Sequence, residues 1–261
     1  MSAPACPPRR VALVTGAARR LGRAIALELG AAGWDVAVHY HGSAADAEDC
    51  CAQLRAAGAA ACALDADLAD AAAARALVAR AAAALGPVDA VVNNASLFEY
   101  DDAAGFDAAR AARHHAVNTI APVLLAQALH AQLLERGARG CVVNLLDQKL
   151  WNPNPDHLSY TLSKAALREA TTLLAQALAP TLRVVGVAPG LTLGSAQLDA
   201  AALARMQRAG PLGEGPHAAD VAATVRFCLD NPALTGSCIL VDAGHHLQPR
   251  ARDFAFPVDR P

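Results

Sequence analysis

The chain has 261 residues, of which 54% are hydrophobic and 18% charged, a globular composition large enough for one extensive core or two small ones. Its 22 basic and 24 acidic residues form no long run of one sign, so the charge distribution provides no footprint for nucleic acid or for an anionic membrane surface. We therefore expect neither as a partner, and we expect small local sites to carry the specificity.

The cysteines and the N-terminal residues indicate a cytoplasmic protein. The seven cysteines are an odd number without C-x-x-C spacing, and three fall within apolar runs typical of strands. We interpret them as buried or incidental thiols of a reducing compartment. Residues 1–10 contain no apolar signal segment, and no continuous apolar run reaches the roughly 18 residues that span a bilayer.

The first half of the chain alternates short apolar strands with helices. Residues 11–15 form a β-like run, a glycine-containing turn follows, and Leu21, Ile25 and Leu29 then repeat at helical spacing. Further strands are predicted at 35–40, 60–65 and 89–93, and further helices at 45–57 and 70–85. This alternation is typical of βαβ units and a parallel sheet.

The second half continues the same alternation. One or two helices are predicted over 106–134, a strand at 140–146, a helix at 158–178 that Pro180 stops, and strands at 183–188 and 238–241. Since no linker or change in composition divides the chain, residues 1–261 are predicted to form a single α/β domain. It is predicted to contain a Rossmann-type, doubly wound, parallel seven-stranded sheet, with ligands at the carboxyl ends of the strands where the strand order reverses.

Three segments lie outside this predicted core. Residues 1–9 are predicted to be a flexible N-terminus, and the Ala-, Gly- and Pro-rich segment 193–217 a mobile flap over a site. Residues 248–261, with three prolines and two phenylalanines, are predicted to be a tail that packs late or reaches a neighbouring subunit.

The stretch 142–166 suggests a site for proton transfer. An apolar strand ends in Asp147, and Tyr160 and Lys164 follow four residues apart, on one face of a predicted helix. A phenol has a pKa of about 10, so it is useful at neutral pH only if its surroundings tune it, and a nearby ammonium favours the phenolate. A carboxyl, a phenol and an ammonium together predict acid–base chemistry. Taken alone, the Tyr-x-x-x-Lys spacing also fits an ordinary surface pair.

A nucleotide site is predicted at the first turn. Gly16 and Gly22 lie six residues apart between a strand and a helix, where glycine lets the backbone approach a pyrophosphate seated on the helix N-terminus. Arg20 stands where a middle glycine is usual. The alternative is a tight turn that needs glycine only for its backbone angles.

The end of the second strand favours NADPH over NADH. An acidic residue there would bind the adenosine ribose of NAD, whereas this chain reads His39, Tyr40, His41, Gly42 and Ser43. Without a carboxylate nothing repels a 2′-phosphate, and Arg19, Arg20, Arg23 and Ser43 are available to bind it. The alternative for His39 and His41 is that one of them is simply buried at the strand end.

These motifs occur in an order that resembles the short-chain dehydrogenase/reductase family. The glycine turn, Asn93-Asn94-Ala95, Asn118, the Tyr160/Lys164 pair and Pro189-Gly190 follow one another across residues 11–247. The segments TGAARRLG, HYHGS and VNNASLF resemble more closely the pteridine reductases and the bacterial dihydromonapterin and dihydrofolate reductases of that family. In most of the family a serine stands at the position of Asp147, and an aspartate is typical of the pteridine-reducing branch.

The resemblance implies a role for each catalytic residue. Tyr160 is the implied proton donor, and Lys164 the residue that holds the nicotinamide ribose and lowers the pKa of Tyr160. Asn118 is implied to hold a water in a proton relay, and Asp147 to bind the substrate or pass a proton to Tyr160. Phe98 is implied to stack on the pterin opposite the nicotinamide. From the sequence alone, Phe98 is equally an ordinary buried aromatic after a strand.

The resemblance also implies the remaining contacts. Arg20 is expected at the cofactor phosphate and the pterin, Asp67 at the adenine, and Thr192 on the nicotinamide side. Further expected cofactor contacts are Leu21, Leu68, Asn93, Asn94, Ala95, Pro189 and Gly190, and Ser96 is expected at the pterin. Two features depart from that branch: Gly42 stands where an arginine is common, and the loop 150–158 is distinctive.

Three functions remain open from the sequence. The first is an NADPH-dependent pteridine reductase, in which the cofactor supplies a hydride and the protein a proton to a C=N bond. The second is an NADPH-dependent carbonyl reductase of the same fold, acting on a ketone, aldehyde or quinone. The third is a non-catalytic nucleotide-binding or regulatory protein, against which the intact Tyr160 and Lys164 argue.

No metal site is predicted, and a homotetramer is expected. The histidines occur as the adjacent pairs His114-His115 and His245-His246, and adjacent residues of a helix or strand cannot both face one ion. The resemblance implies a tetramer assembled through the helices that follow strands four and five.

Overall fold

Seven strands form one parallel sheet in this computed structural model, which describes residues 9–194, 198–254 and 256. The strands are β1 Arg10–Val14, β2 Trp34–Tyr40, β3 Ala61–Asp65, β4 Val88–Asn93, β5 Gly140–Leu145, β6 Leu182–Pro189 and β7 Cys238–Val241. Their spatial order is β3-β2-β1-β4-β5-β6-β7, so the strand order reverses between β1 and β4. The predicted doubly wound, Rossmann-type sheet is confirmed, and the ligand crevice is expected at that reversal.

Eight α-helices connect the strands within the described residues. They are α1 Arg20–Ala31, α2 Ala44–Ala56, α3 Ala71–Leu85, α4 Ala108–His115, α5 Ala121–Glu135, α6 Leu158–Ala177, α7 Ala200–Arg208 and α8 Ala218–Asp230. A π-helical turn, Ala116–Ile120, joins α4 to α5, and 3₁₀ turns occupy Gln148–Leu150 and His245–Leu247. The region 106–134, for which one or two helices were predicted, therefore contains two helices with a wider turn between them.

The core consists of two apolar layers, one on each face of the sheet. The first contains side chains of α1, α2 and α8, and the second side chains of α3 and α5. Strands buried on both faces are near-continuous apolar runs, which is why they were visible in the sequence.

The alanine-rich α3 is an ordinary core helix. The Asp70 carboxylate caps it by accepting from the amides of Ala72 and Ala73, and Leu77 and Val78 are buried.

Three segments differ from their predictions or extend them. The segment 193–217 contains the regular helix α7, with residues 195–197 outside the described part of the chain. Helix α8 was not predicted. The tail from Gln248 to Phe254 packs against its own chain, while residues 1–8, 255 and 257–261 lie outside the described residues.

The cysteines and the longest apolar helix are both parts of the core. Cys50, Cys51, Cys141 and Cys228 are buried free thiols, and burial raises the pKa of Cys51 and of Cys141 to about 12. Ala108–Glu135 is long and apolar enough by composition to cross a membrane, but half of it is buried inside the fold.

Candidate active site

The candidate acid lies where β5 ends beside the start of α6. Asp147 follows β5, and Tyr160 and Lys164 lie in the first two turns of α6. This helix begins after His157, which has a left-handed backbone (φ 53°) and makes no side-chain cap. The distant Asp101 supplies the cap instead, since its carboxylate accepts from the amide of Ser159 at 3.0 Å and from the Ser159 hydroxyl.

Asp147, Tyr160 and Lys164 come together as predicted. The Tyr160 hydroxyl donates to Asp147 Oδ2 at 2.7 Å, and Asp147 Oδ1 accepts from the amide of Lys149 at 2.8 Å. Lys164 Nζ donates to the carbonyl of Leu145 at 2.7 Å and lies 5.9 Å from the centroid of the Tyr160 ring. Tyr160 is 6% exposed and Lys164 3% exposed, so the pair is not the surface pair that the spacing alone also allowed.

Burial disfavours the charged form of all three groups. It raises the pKa of Asp147 above the usual range, and it lowers the pKa of Lys164 to about 8. The pKa of Tyr160 is raised well above 10, first by burial and then by the charge and hydrogen bond of Asp147. Tyr160 therefore keeps its proton at neutral pH, in contact with a carboxyl that can exchange a proton with it.

The glycine turn after β1 forms a cradle against the start of α1. Gly16 has φ 62°, which favours glycine, and a Cβ on Gly22 would lie 2.2 Å from the carbonyl oxygen of Gly16, so each position requires glycine. The side chain of Asn94 braces this turn by donating to the carbonyls of Thr15 and Gly16 at 2.9 and 3.2 Å.

Two adjoining cavities extend from this cradle along the reversal in strand order. The first, about 360 Å³, contains most of the predicted cofactor positions: Gly16, Arg19, Arg20, Leu21, Gly22, His39, Tyr40, His41, Ser43, Asn94, Ala95 and Ser96. The second, about 340 Å³, contains Asp67 and Leu68 and shares His39, His41, Ala95 and Ser96 with the first. These predicted residues therefore line adjoining cavities, and their contacts with a cofactor stay predictions.

A third cavity, about 220 Å³, lies on the catalytic side. Its walls are Arg20, Phe98, Asp147, Gln148, Lys149, Gly190, Leu191, Leu193, Leu198, Asp253 and Phe254. Arg20 borders both this cavity and the first one, and its role at phosphate and pterin stays a prediction. Its guanidinium donates to the carbonyl of Gly194 at 2.7 Å.

Gly190, which follows Pro189 at the end of β6, borders the third cavity. A Cβ on Gly190 would lie 2.7 Å from Cα of Asp242, so only glycine allows these two backbones to approach. Thr192 is buried, and its hydroxyl donates to the carbonyl of Gly190 at 2.9 Å, which shapes the turn after β6.

Phe98 borders this cavity with its ring, which packs against His157. Phe98 is 52% exposed, so the alternative that it is an ordinary buried aromatic is wrong. One face stacks on the ring of His157 at 4.2 Å, and the ring meets Tyr160 edge-on at 4.7 Å. His157 was not predicted as a site residue. It is 5% exposed, and its Nδ1 hydrogen-bonds the carbonyl of Glu99 at 3.1 Å.

Comparison with known proteins decides the family. The family model described as short chain dehydrogenase matches residues 10–202. The chain belongs to the short-chain dehydrogenase family. It is 33% identical to pteridine reductase 1 of Leishmania tarentolae over 92% of this chain and 98% of that protein. It is 30% identical to the 3-oxoacyl-[acyl-carrier-protein] reductase FabG of Staphylococcus aureus over 90% of this chain and 98% of that protein.

Among solved structures, the chain is similar to the FolM alternative dihydrofolate reductase 1 of Brucella canis complexed with NADP. The TM-score is 0.89 and the identity 40%, over 94% of this chain and 97% of that one. The resemblance inferred from the sequence, to the short-chain dehydrogenase family and its pteridine-reducing branch, is therefore confirmed.

The net pKa of Tyr160 is raised in this structure, whereas the resemblance implied that Lys164 lowers it. Instead the Lys164 ammonium bonds the carbonyl of Leu145, and burial together with Asp147 raises the Tyr160 pKa. The sequence could not show this because the burial of a side chain is a tertiary property.

The side chain of Asn118 has no atom left for a relay water. Its Nδ2 donates to the carbonyl of Leu97 and to Ser163 Oγ, both at 2.9 Å. Its Oδ1 accepts from the amide of Leu97 at 2.7 Å and lies 3.3 Å from Ser96 Oγ. An amide side chain offers two donors and one acceptor oxygen, all of which bind protein groups here, so the role of Asn118 in holding a relay water stays a prediction. Asn118 ties the loop after β4 to α6.

Two predicted cofactor residues, His39 and Asn93, make their side-chain hydrogen bonds to other groups of the protein. His39 Nδ1 accepts from the amide of Gly16 at 3.1 Å, so Nε2 carries the proton that is donated to the carbonyl of Ala66 at 3.1 Å. The alternative of a histidine buried at the strand end is therefore correct for His39. Asn93 donates to Asn144 Oδ1 at 2.8 Å and is buried, so its side chain joins β4 to β5.

The arginines of the turn are not equally available to a phosphate. Arg19 Nε donates to Asp46 Oδ2 at 2.6 Å, and Arg23 pairs with Asp49. The carboxylates of Asp46 and Asp49, both on α2, therefore partly neutralise the charges of these two arginines. His41 is exposed, and the half-buried Ser43 makes no side-chain cap to α2, so both remain available at the mouth of the cradle.

Across residues 9–194, 198–254 and 256, no group of three or more His, Cys, Asp or Glu side chains is placed to hold a metal ion.

Proposed function

We propose that this protein is an NADPH-dependent oxidoreductase that reduces a C=N bond of a pterin, a dihydropterin or dihydrofolate. The observation that carries the proposal is the 2.7 Å hydrogen bond from Tyr160 to Asp147, in a cavity that Phe98 borders with an exposed aromatic face. The relatives named pteridine reductase and alternative dihydrofolate reductase, at 33% and 40% identity, support it.

The nucleotide side fits NADPH. The cradle of Gly16 and Gly22 leaves the backbone open to a pyrophosphate at the N-terminus of α1. Beyond it, His41 and Ser43 supply polar groups without a carboxylate, which suits a 2′-phosphate. The similar Brucella canis structure is complexed with NADP. When bound, the cofactor supplies the hydride.

The protein's own residues would deliver the proton. Tyr160 retains its proton because burial and Asp147 raise its pKa, and it would donate that proton to the substrate nitrogen next to the reduced carbon. Asp147, whose pKa burial raises, would replace the proton on Tyr160 or accept a hydrogen bond from a ring N–H. Phe98 offers an apolar face to a flat heterocycle, and Lys164 is available for the nicotinamide ribose.

A carbonyl reductase remains the second candidate, since the FabG relative is named as an oxoacyl reductase. Purified protein assayed for NADPH oxidation with dihydropterin, dihydrofolate and a panel of ketones, aldehydes and quinones separates the two. We expect turnover of the pterins, abolished in Tyr160→Phe. Turnover of carbonyls without pterins would reject the proposal. Tight NADPH binding without oxidation by either class would favour a non-catalytic role.

We also propose a cytoplasmic homotetramer assembled through the helices after β4 and β5. Exposed leucine and isoleucine side chains on that side of the fold support it: Ile120, Leu134, Leu162 and Leu173. Light scattering coupled to size exclusion should give four times the mass of one chain, and a monomer at micromolar concentration would contradict the proposal.

A further inference from the structure

A fourth cavity, about 420 Å³, lies at the amino ends of the strands, at the opposite edge of the sheet from Asp147. Because the strands are parallel, their first residues meet at this edge, and Arg10, Trp34 and Gly140 all border the cavity. None of the described residues that border it was predicted to bind the cofactor or the substrate. Its volume is within the range of sites that bind small organic ligands.

Arg183, the second residue of β6, supplies a fixed positive charge to this cavity. Its side chain donates to three backbone carbonyls at 2.8–3.0 Å. Those carbonyls hold the guanidinium in place but do not neutralise it, and Arg183 makes no ion pair with any residue that the structure describes. A guanidinium has five N–H groups, of which these bonds use three, so two remain for a ligand.

Two further arginines border the same cavity. Arg139, directly before β5, is exposed and makes neither a hydrogen bond nor an ion pair within the described part of the chain. Arg10 lies with its guanidinium carbon 3.9 Å from the centroid of the Trp34 ring, and it forms an exposed ion pair with Asp230 at 2.7 Å. The cavity therefore has arginines from three separate elements on its walls.

Asp89 is the only acidic residue among the described residues that border the cavity. Its carboxylate already pairs with Arg136 at 2.6 Å and accepts from the amide of Val11 at 2.9 Å. The charge of Arg183 reaches the wall: burial raises the pKa of Cys141 to about 12, and Arg183 opposes that rise. Since Cys141 keeps its proton, the cavity offers positive charge and N–H donors but no reactive thiolate.

Trp34 and other apolar side chains form the rest of the wall. Trp34 is 2% exposed, and its Nε1 has no hydrogen-bond partner among residues 9–194, 198–254 and 256. A buried indole N–H usually finds an acceptor, so this one is an exception. Pro180, Leu182 and Pro232 add apolar surface to the cavity. The combination suits a ligand that carries both an anionic group and an apolar body.

We propose that this cavity is a second ligand site, which binds a small organic anion with its phosphate or carboxylate group on the arginines and its apolar body against the tryptophan and the prolines. A guanidinium holds either group with paired N–H donors, and Arg183 presents its two remaining donors from a fixed position. The inference does not depend on the proposed reduction, because the site lies at the other edge of the sheet from Tyr160.

The test measures the binding of three probes to the full-length protein saturated with NADP⁺, which keeps the probes out of the nucleotide cradle. Phenyl phosphate and phenylacetate join an anionic group to an apolar ring, and inorganic phosphate supplies the anion alone. Calorimetry gives each Kd for the wild type, Arg139→Gln, Arg183→Gln and Arg75→Gln. Arg75 is the matched control, since it is exposed, bonds Gln127, and is not among the described residues that border the four cavities.

We expect phenyl phosphate or phenylacetate to bind one molecule per chain, at least about tenfold more tightly than inorganic phosphate, because the ring buries apolar surface. Loss of a charge-assisted hydrogen bond should raise the Kd about 10- to 100-fold in Arg183→Gln, and about three- to tenfold in the more exposed Arg139→Gln. Arg75→Gln should match the wild type. Tighter binding of phenyl phosphate would assign a phosphate ligand, and tighter binding of phenylacetate a carboxylate.

Arg183 also bonds the backbone, so urea unfolding checks that Arg183→Gln remains folded. If it does not fold, Arg139→Gln decides the test, because that change breaks no bond within the described residues. An unchanged Kd in Arg139→Gln, an equal rise in Arg75→Gln, or inorganic phosphate binding as tightly as both organic anions would overturn the inference. So would the absence of saturable binding of either organic anion to the wild type.

Discussion

Replacement of Asp147 by serine tests the group that distinguishes pterin from carbonyl chemistry in this site. Asp147 accepts a hydrogen bond from the Tyr160 hydroxyl at 2.7 Å and another from the amide of Lys149. Serine retains a neutral hydrogen-bonding group for a carbonyl oxygen but loses the charged acceptor that a ring N–H would use. We therefore expect Asp147→Ser to damage pterin reduction more than carbonyl reduction.

The size of the effect follows from the hydrogen bonds involved. A hydrogen bond to a charged group contributes about 1.5–3 kcal/mol, so its loss should lower kcat/KM for dihydropterin by about 10- to 100-fold. For a ketone substrate, the serine hydroxyl supplies a neutral hydrogen bond in place of the contact made by the carboxyl. We therefore expect kcat/KM for the ketone to change by no more than about threefold. Both kcat/KM values are measured by NADPH oxidation.

The pH profile supplies a second readout, whose sign follows from the charges. The Asp147 carboxylate disfavours phenolate formation and favours the Lys164 ammonium, so it raises both pKa values. Its removal lowers both. Since the proton donor and the ammonium are active in their protonated forms, the alkaline limb of kcat should move to lower pH in Asp147→Ser. Equal losses on the two substrate classes, or a limb that moves to higher pH, would refute the reasoning.

Three further predictions concern the nucleotide side. Gly22→Ala should raise the NADPH Kd at least about tenfold in calorimetry, because the added Cβ lies 2.2 Å from the Gly16 carbonyl oxygen and opens the turn; an unchanged Kd would show that the turn tolerates the methyl group. His41→Asp should raise KM for NADPH about tenfold while KM for NADH stays constant or falls, since a carboxylate repels the 2′-phosphate; equal effects on both would contradict the assignment. His39→Leu should lower the free energy of unfolding by roughly 2–4 kcal/mol in urea, because it leaves the Gly16 amide and the Ala66 carbonyl buried without partners.

His39 also predicts how stability depends on pH. Burial lowers its pKa in the folded state below the ordinary value of 6.5, so the unfolded chain binds more protons as the pH falls through that value. Its contribution to stability is therefore complete above about pH 6.5 and is lost as the pH falls through the folded pKa. The difference in stability between wild type and His39→Leu should shrink under acid conditions, and a constant difference from pH 7 to pH 5 would contradict this.

The strands and the first turn were predictable because their signals are local. Each buried parallel strand is a short apolar run, and the predicted boundaries agree with the observed ones to within one or two residues, as for β7 at Cys238–Val241. The glycine requirement at Gly16 and Gly22 arises from backbone geometry within a few residues. Helix α8 was not predicted, and the π-helical turn at Ala116–Ile120 has no distinct sequence pattern.

The features of the active site likewise fall into those that the sequence could show and those that it could not. The spacing of Tyr160 and Lys164, and the aspartate at the end of β5, were visible in the sequence because a helix face and a strand end are properties of short segments. The stacking of His157 on Phe98 and the cap that Asp101 supplies to α6 join residues separated by more than 50 positions, so no local pattern could indicate them.

What the sequence determined by itself was the family, the glycine turn and the grouping of Asp147, Tyr160 and Lys164, since each depends on residue types at fixed short spacings. Only the tertiary structure decided the protonation behaviour of Tyr160 and Lys164, because burial shifts both pKa values and burial depends on the whole fold. It also decided that the tail brings Asp253 beside Asp147. Asp147 and Asp253 border the same cavity although they lie more than 100 positions apart, and the pair of Arg252 with Asp156 holds the tail beside it.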